Sequence, residues 1–236
     1  MSSELSKIYR TRFADAQDYR RSVWKILISD YFATYLQDAH AVLDLGCGYG
    51  DFINQVSCRE RYAMDLNPDA RSRVQDGVRL VSQDCSEPWP LAENSLDLVF
   101  TSNFFEHLPD KASLSRTLAE ARRCLRPGGR LVALGPNIKF VPGQYWDLWD
   151  HYLPLTELSL AEGMKMIGFH IERVIDRFLP YRMSQGPRYP LLFLRLYLRL
   201  PIFWRVMGRQ FLLVGIKTPE GGGKDSCISQ ATFSTS

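Results

Sequence analysis

The chain has 236 residues, 45% apolar and 23% charged, which is ordinary for a single soluble α/β domain. Five cysteines (Cys47, Cys58, Cys85, Cys124, Cys227) form no C-x-x-C pair and are odd in number, which argues against a metal site and a disulfide framework and for a reduced, cytoplasmic setting. No run reaches the ~20 apolar residues of a membrane span, and the polar start from Met1 to Lys7 leads into no apolar h-region, so neither a membrane helix nor a signal peptide is expected.

Residues 1–40 carry helical apolar spacing, strongest from Val23 to Leu36, and read as a helical cap. From 41 to 135, apolar strands (near 41–45, 61–65, 79–82, 96–101 and 129–134) alternate with helices (near 49–57, 68–73 and 111–125). Such alternation predicts parallel strands joined by right-handed crossovers. The first strand ends at Asp44 and opens into Gly46, Gly48 and Gly50, each followed by a larger residue. Glycine lets the backbone turn tightly and approach a ligand, whose charged or dipolar group then meets N–H groups at the start of the next helix. Asp65 closes the second strand twenty-one residues after Asp44. That is about the spacing at which a Rossmann-type fold sets an acid on a ribose hydroxyl pair. A dinucleotide fingerprint would need glycine at position 51. Asp51 stands there instead and would oppose a pyrophosphate, so the loop suits a ligand with an amino-acid head group and disfavours a nicotinamide oxidoreductase. Further on, Thr156 caps a helix running to Gly163–Gly168, strands follow at 169–178 and 210–217, and the Gly/Ser-rich 219–236 reads as a disordered tail.

Taken together these segments resemble the class I S-adenosylmethionine-dependent methyltransferases, specifically the broad small-molecule group whose first motif reads D-L-G-C-G-x-G. The resemblance runs from Ala41 to Asn137 and more weakly to Lys217. Besides the glycine loop it is carried by Ala63-Met64-Asp65-Leu66-Asn67-Pro68, Ser82-Gln83-Asp84-Cys85, Leu96 to Asn103 with Phe105-Glu106-His107-Leu108-Pro109-Asp110, and Leu125-Arg126-Pro127-Gly128-Gly129, in that order. It implies a Rossmann-like α/β domain over 41–218. The sheet would have seven strands, mostly parallel with an antiparallel last strand, with helices on both faces and the final two strands as a hairpin at the edge. It also implies S-adenosyl-L-methionine as cofactor. Asp44, Gly46, Cys47 and Gly48 would hold the methionine carboxylate and amine, and Asp65 the ribose hydroxyls. Leu66 would lie on the adenine face, with Asp84 and the Cys85 backbone at its amino group. Asn103 would line the place where methionine and acceptor meet.

Methyl transfer from a sulfonium is an in-line displacement, so the acceptor must be held behind the methyl carbon. Amines and phenolates need little more, whereas an aliphatic hydroxyl benefits from a general base. His107, beside Glu106, follows the fourth strand at the carboxyl edge of the sheet and is one candidate; the other reading is a structural role at a helix start. His151 is the second candidate. It lies in an aromatic insertion, 138–155, with Tyr145, Trp146, Trp149 and Asp150 nearby. Tyr145, Trp146 and Trp149 are candidate acceptor contacts, and Asp150 could hold the tautomer of His151. Alternatively Trp146 and Trp149, three apart, form a helical core face. His40 and His170 precede strands and read as structural.

Charge is unevenly spread: residues 1–176 sum to −4, while 177–219 hold seven arginines, one lysine and no acid. Within that block, 187–207 form a basic apolar helix in which Arg195 and Arg199, four apart, share a face and Leu, Phe, Tyr and Trp fill the rest. It suits an anionic membrane interface or a lid over a greasy or phosphate-bearing acceptor; the other reading is a crossover helix packed on the sheet. Tyr9 to Phe13 and Tyr19-Arg20-Arg21 are expected either over the cofactor carboxylate, as the N-terminal helices of such methyltransferases lie, or as plain surface charge. The expected activity is O-methylation of a small molecule, sugar or lipid-linked glycan. An RNA methyltransferase is the main competitor, although a leucine-interleaved basic block fits nucleic acid poorly. A non-catalytic cofactor-binding partner subunit would show a damaged glycine loop or a missing ribose acid, and both are intact here.

Overall fold

The structure is a computed structural model and describes residues 17–181 and 190–219. Residues 1–16 of the expected cap, with Tyr9 to Phe13 among them, residues 187–189 of the basic segment and the tail from 220 lie outside the described residues.

Seven strands form one sheet in the order β3-β2-β1-β4-β5-β7-β6. They are β1 (Ala41–Leu45), β2 (Glu60–Met64), β3 (Val78–Val81), β4 (Leu96–Ser102), β5 (Leu125–Pro136), β6 (Phe169–Ile175) and β7 (Gln210–Lys217). The first five pair in parallel, and β7 runs antiparallel to both β5 and β6. The order reverses between β1 and β4, which is the switch point at whose carboxyl edge open α/β sheets bind ligands. β7 is inserted between β5 and β6, and the β6–β7 connection carries helices α5 (Leu191–Arg199) and α6 (Pro201–Met207), so the antiparallel edge pair is joined by a long connection.

Side chains alternate across a strand, and both faces of this sheet are apolar. Leu43, Leu45, Leu131, Ala133 and Leu213 face one buried cluster, shared with α3 (Lys111–Cys124) and α4 (Glu157–Met166). Val42, Leu98, Phe100, Val132, Leu134, Leu212 and Val214 face the other, under α1 (Gln17–Leu27), the π-turn Ile28–Phe32, the short α2 (Ala33–Leu36) and α5. Stacked Phe52 and Phe100 (3.8 Å between centroids), with Trp24 edge-on to both, fasten α1 to the sheet beneath the glycine loop.

One expected helix is far shorter than its pattern. Residues 49–57 yield only a 3-10 turn, Ile53–Gln55, whereas 68–73 keep nearly their full expected length as a 3-10 helix, Pro68–Ser72. The physical reason at the first is backbone chirality: Gly46, Gly48 and Gly50 take φ of +71°, +53° and +71°. These left-handed turns run through Gly50 into the start of the expected helix. β5 begins four residues early, because Leu125 pairs with Leu96 before an irregularity resets the register at Leu98–Arg130. α4 starts as expected, with the Thr156 and Ser159 side chains capping each other's backbone.

Candidate active site

The carboxyl ends of β1, β2 and β4 converge. Asp44 is 4% exposed, and its carboxylate accepts a hydrogen bond from Ile53 N–H at 3.3 Å. Burial, with Asp65 and Asp51 adding to it, pushes its pKa up to about 8. Asp65 accepts from Gly48 N–H and from Asn67 N–H, both at 2.7 Å, one on each carboxylate oxygen. Its pKa is also raised, by burial, against the pull of those two N–H groups. The Gly48 N–H therefore meets Asp65 rather than standing free at a helix start, which corrects the expectation for this loop. Gly46 permits close packing of the next segment: a Cβ there would meet the Phe104 ring at 2.2 Å. Cys47 is buried with its thiol pKa raised well above the usual value by burial.

Along the rim, Leu66 keeps 42% of its surface exposed. Asp84 is exposed and accepts from Ser86 N–H at 2.8 Å, a local turn of the kind aspartate favours. Cys85 is buried against Thr117 (Sγ–Oγ1 3.3 Å). Asn103 takes a left-handed φ of +50°, donates its N–H to the Leu134 carbonyl and is exposed. From the N-terminal side Arg20 reaches Asp51 at 2.6 Å. That arginine thus closes on the residue just past the glycine loop.

A second group lies past β4. Glu106 and His107 sit in the 3-10 turn Phe105–His107, and the Tyr152 and Leu153 N–H groups both donate to the Glu106 carbonyl (2.9 and 3.1 Å). This binds the 138–155 insertion to the turn. The insertion is closed at its neck by Ile138 N–H to the Leu155 carbonyl and by buried Asn137, which donates to Glu157 at 2.6 Å. Glu157 also pairs with Lys139, and both donors lower its pKa against its burial.

Inside this frame, His107 Nδ1 lies 2.7 Å from the Asp150 carbonyl oxygen and 3.3 Å from its Oδ2. His107 and His151 rings are 5.0 Å apart, and Tyr145 lies 4.6 Å from His151. Glu106 is 3% and His151 6% exposed. Burial pushes the Glu106 pKa up to about 7, with His107 pulling it down. Tyr145 is fully buried, and its pKa is raised by burial and then by Glu106. Two findings follow. Asp150 is engaged by His107, forty-three residues away in sequence, a pairing that the expectation about its neighbour His151 did not include. Tyr145 turns inward, whereas Trp146 (58% exposed) and Trp149 (87%) form no core face. Sequence reasoning missed Glu106 as a site group; its only signal was an acid next to a histidine at a strand end.

Comparison with known proteins agrees with this geometry. Residues 43–133 match the family model described as "Methyltransferase domain". A Mycolicibacterium smegmatis protein named "Probable S-adenosylmethionine-dependent methyltransferase" is 30% identical over 143 residues, covering 58% of this chain and 54% of that one. The malonyl-[acyl-carrier protein] O-methyltransferase of Dechloromonas aromatica is 39% identical over 101 residues, covering 40% and 37%. This chain thus spans about half, or less, of the length of those curated relatives. A crystal structure of an S-adenosylmethionine-dependent methyltransferase from Archaeoglobus fulgidus superposes with a TM-score of 0.63 at 18% identity, covering 84% of this chain and 94% of that one, and speaks to the fold alone. Strand order, glycine loop, acid-tipped β2 and the family match carry one conclusion: residues 43–133 form a methyltransferase domain of the class I, S-adenosylmethionine-dependent kind, which implies S-adenosylmethionine as its cofactor.

Proposed function

We propose that this chain methylates a hydroxyl of a small molecule, sugar or lipid-linked glycan at the cytoplasmic face of a membrane. The cofactor, when bound, supplies an electrophilic methyl group on a sulfonium. Asp44, Gly46, Cys47 and Gly48 hold its amino-acid head group, and Asp65 its ribose hydroxyls. Leu66, Asp84 and Cys85 frame the adenine, and Asn103 stands beside the methionine. The residues fit that group chemically. Each Asp65 oxygen has accepted one backbone N–H and keeps one lone-pair site for a hydroxyl. The buried Asp44 carboxyl is suited to a cationic amine.

One observation carries the choice of an oxygen acceptor: Glu106, His107 and His151 cluster just past the carboxyl end of β4, with His107 close enough to Asp65 to lower its proton affinity. An amine needs alignment only, so a buried proton-handling group is surplus to its chemistry. For an aliphatic hydroxyl it removes the proton that otherwise stays on the attacking oxygen. That the D. aromatica relative bears the name of an O-methyltransferase agrees in reaction class.

The lipid-linked acceptor is supported by α5 and α6. Leu192, Phe193, Ile202, Phe203 and Val206 are 43–66% exposed, with Arg199 and Arg205 exposed among them. Tyr197 and Trp204 instead pack inward: Tyr197 O–H donates to the Phe178 carbonyl, and Trp204 Nε1–H to the Tyr197 carbonyl. Arg195 is held by Asp30 at 2.7 Å. The packed-crossover reading accounts for those three residues, while the remaining apolar and basic side chains suit an anionic lipid surface. Among the described residues no helix is long and apolar enough to cross a membrane.

The test is label transfer from methyl-labelled cofactor to three acceptor pools: glycolipid extract, soluble sugars and RNA. Alkali-stable label on a lipid or sugar, lowered in a His151→Ala variant of unchanged cofactor affinity, supports the reading. Label confined to RNA or to amines overturns it.

A further inference from the structure

The Glu106–His107–His151 group has the make-up of a metal site. Each residue offers one donor atom, and the three atoms all lie within 4.8 Å of one another. Ligands at ~2.0–2.2 Å from a tetrahedral ion are roughly 3.3–3.5 Å apart, so side-chain rotation of about an ångström closes the set. His107 is already oriented for such a role. Both acceptors on its Nδ1 side are oxygens of Asp150, so Nδ1 carries the hydrogen and Nε2 keeps its lone pair. A carboxylate and a carbonyl fixing the far nitrogen of a ligating histidine is the usual outer-shell arrangement of metal sites.

Tyr145 is a second, independent observation. It is fully buried against His151, yet its hydroxyl has no hydrogen-bond partner among the described residues. Buried hydroxyls are rarely left so, and a metal-bound water or acceptor oxygen would satisfy it. The backbone supports the same reading. Tyr152 and Leu153 N–H groups on the Glu106 carbonyl hold the segment bearing His151 against the turn bearing the other two donors. The cysteine spacing that argued against a metal site does not bear on histidine and carboxylate ligands.

We infer that Glu106, His107 and His151 bind one divalent first-row transition metal ion, with an open coordination position beside the cofactor loop. Two imidazoles and one carboxylate, with a position to spare, make up the donor set of catalytic zinc and of related divalent ions. The inference that the ion binds rests on these residues alone. Its role rests on the O-methylation reading. The ion takes the acceptor oxygen in its open position and lowers that hydroxyl's pKa, and the proton leaves to solvent. The histidines then act as ligands rather than bases.

The experiment uses the full chain, stripped with chelator and dialysed, titrated calorimetrically with Zn²⁺ and followed in parallel by the visible absorption of Co²⁺. One equivalent is expected to bind. Glu106→Gln and His151→Ala should each weaken it at least tenfold, and His170→Ala, at an exposed histidine, should leave it unchanged. Circular dichroism melts certify folding, and His107→Gln replaces any variant that does not fold. Absence of saturable binding, binding unchanged in the folded variants, or a thiolate charge-transfer band in the Co²⁺ spectrum would each overturn the site. The role is read separately. Turnover lost on stripping and restored by Zn²⁺ upholds it, whereas turnover of the stripped enzyme equal to that of the loaded one refutes it while leaving the site intact. A protein that binds the ion but methylates no hydroxyl in either state refutes the O-methylation reading and the role together.

Discussion

Asp65→Ala isolates what holds the cofactor ribose. The carboxylate already accepts Gly48 and Asn67 N–H groups at 2.7 Å, one per oxygen, so one site per oxygen remains for the two ribose hydroxyls. Hydrogen bonds to a charged group contribute about 1.5–3 kcal/mol each, and water recovers part of that in the variant. The net loss for the pair is ~2–3 kcal/mol, or roughly 30- to 160-fold in Kd. Removing the acid also strands two loop N–H groups, so weaker binding alone would not separate ribose recognition from loop collapse. A double cycle does. S-adenosylhomocysteine and its 2′-deoxyribose analogue are titrated against both proteins by calorimetry. The native chain should prefer the parent ligand, and the variant should bind the two within about twofold, since the partner of the missing hydroxyl is already gone. A variant that still discriminates as the native chain does would refute the assignment, whatever its absolute affinity.

Three further outcomes are expected. Gly46→Ala forces a left-handed residue and sets a Cβ 2.2 Å from the Phe104 ring, so it should cost about 1–3 kcal/mol in denaturant unfolding and weaken cofactor binding; a variant within 0.5 kcal/mol of native would contradict that packing. Asp44 gives a pH signature. Its folded pKa of about 8 lies above the ordinary value of 3.8, so the folded chain holds the extra proton, and the stability this provides is full below pH ~4 and lost as pH rises to about 8. Cofactor-free protein should lose up to about 1.4 kcal/mol per pH unit across that window from this group, Asp44→Asn should flatten the profile, and parallel profiles would refute the shift. Finally, Arg199→Glu with Arg205→Glu should reduce co-sedimentation with vesicles rich in anionic lipid, with no change on neutral ones; equal sedimentation would remove the lipid surface from the reading.

What the sequence made legible were features written in local chemistry. β1, β4 and β7 are short apolar runs bounded by turn residues, and their expected limits lie within a residue of those observed. The Thr156 cap and the acid at the tip of β2 are equally local. The loss of the helix expected at 49–57 was not legible, because its apolar spacing says nothing of the left-handed turns that run through Gly50 into its start. The acceptor side was harder still. His107 and Asp150 are far apart in sequence, and only the docking of the insertion on the Glu106 carbonyl joins them. Trp146 and Trp149 carry the spacing of a helix face, yet a four-residue 3-10 turn over Gln144–Asp147 sends both outward and Tyr145 in.

The same comparison changes why this loop rejects a diphosphate. The sequence argument rested on Asp51, but Arg20 lies 2.6 Å from it, and a paired charge repels little. The discrimination passes to buried Asp44 and half-buried Asp65; burial raises the proton affinity of both, and Asp65 raises that of Asp44 further. An incoming pyrophosphate would add negative charge where the existing charge is already poorly solvated, and the Gly48 N–H is already taken by Asp65. The ammonium and sulfonium of an S-adenosylmethionine ligand reverse the first penalty, because they let Asp44 ionise. Binding at pH 7 should therefore release a proton, seen as a binding enthalpy that differs between buffers of different ionisation heat. An identical enthalpy in phosphate and Tris would mean that the amine lies away from Asp44.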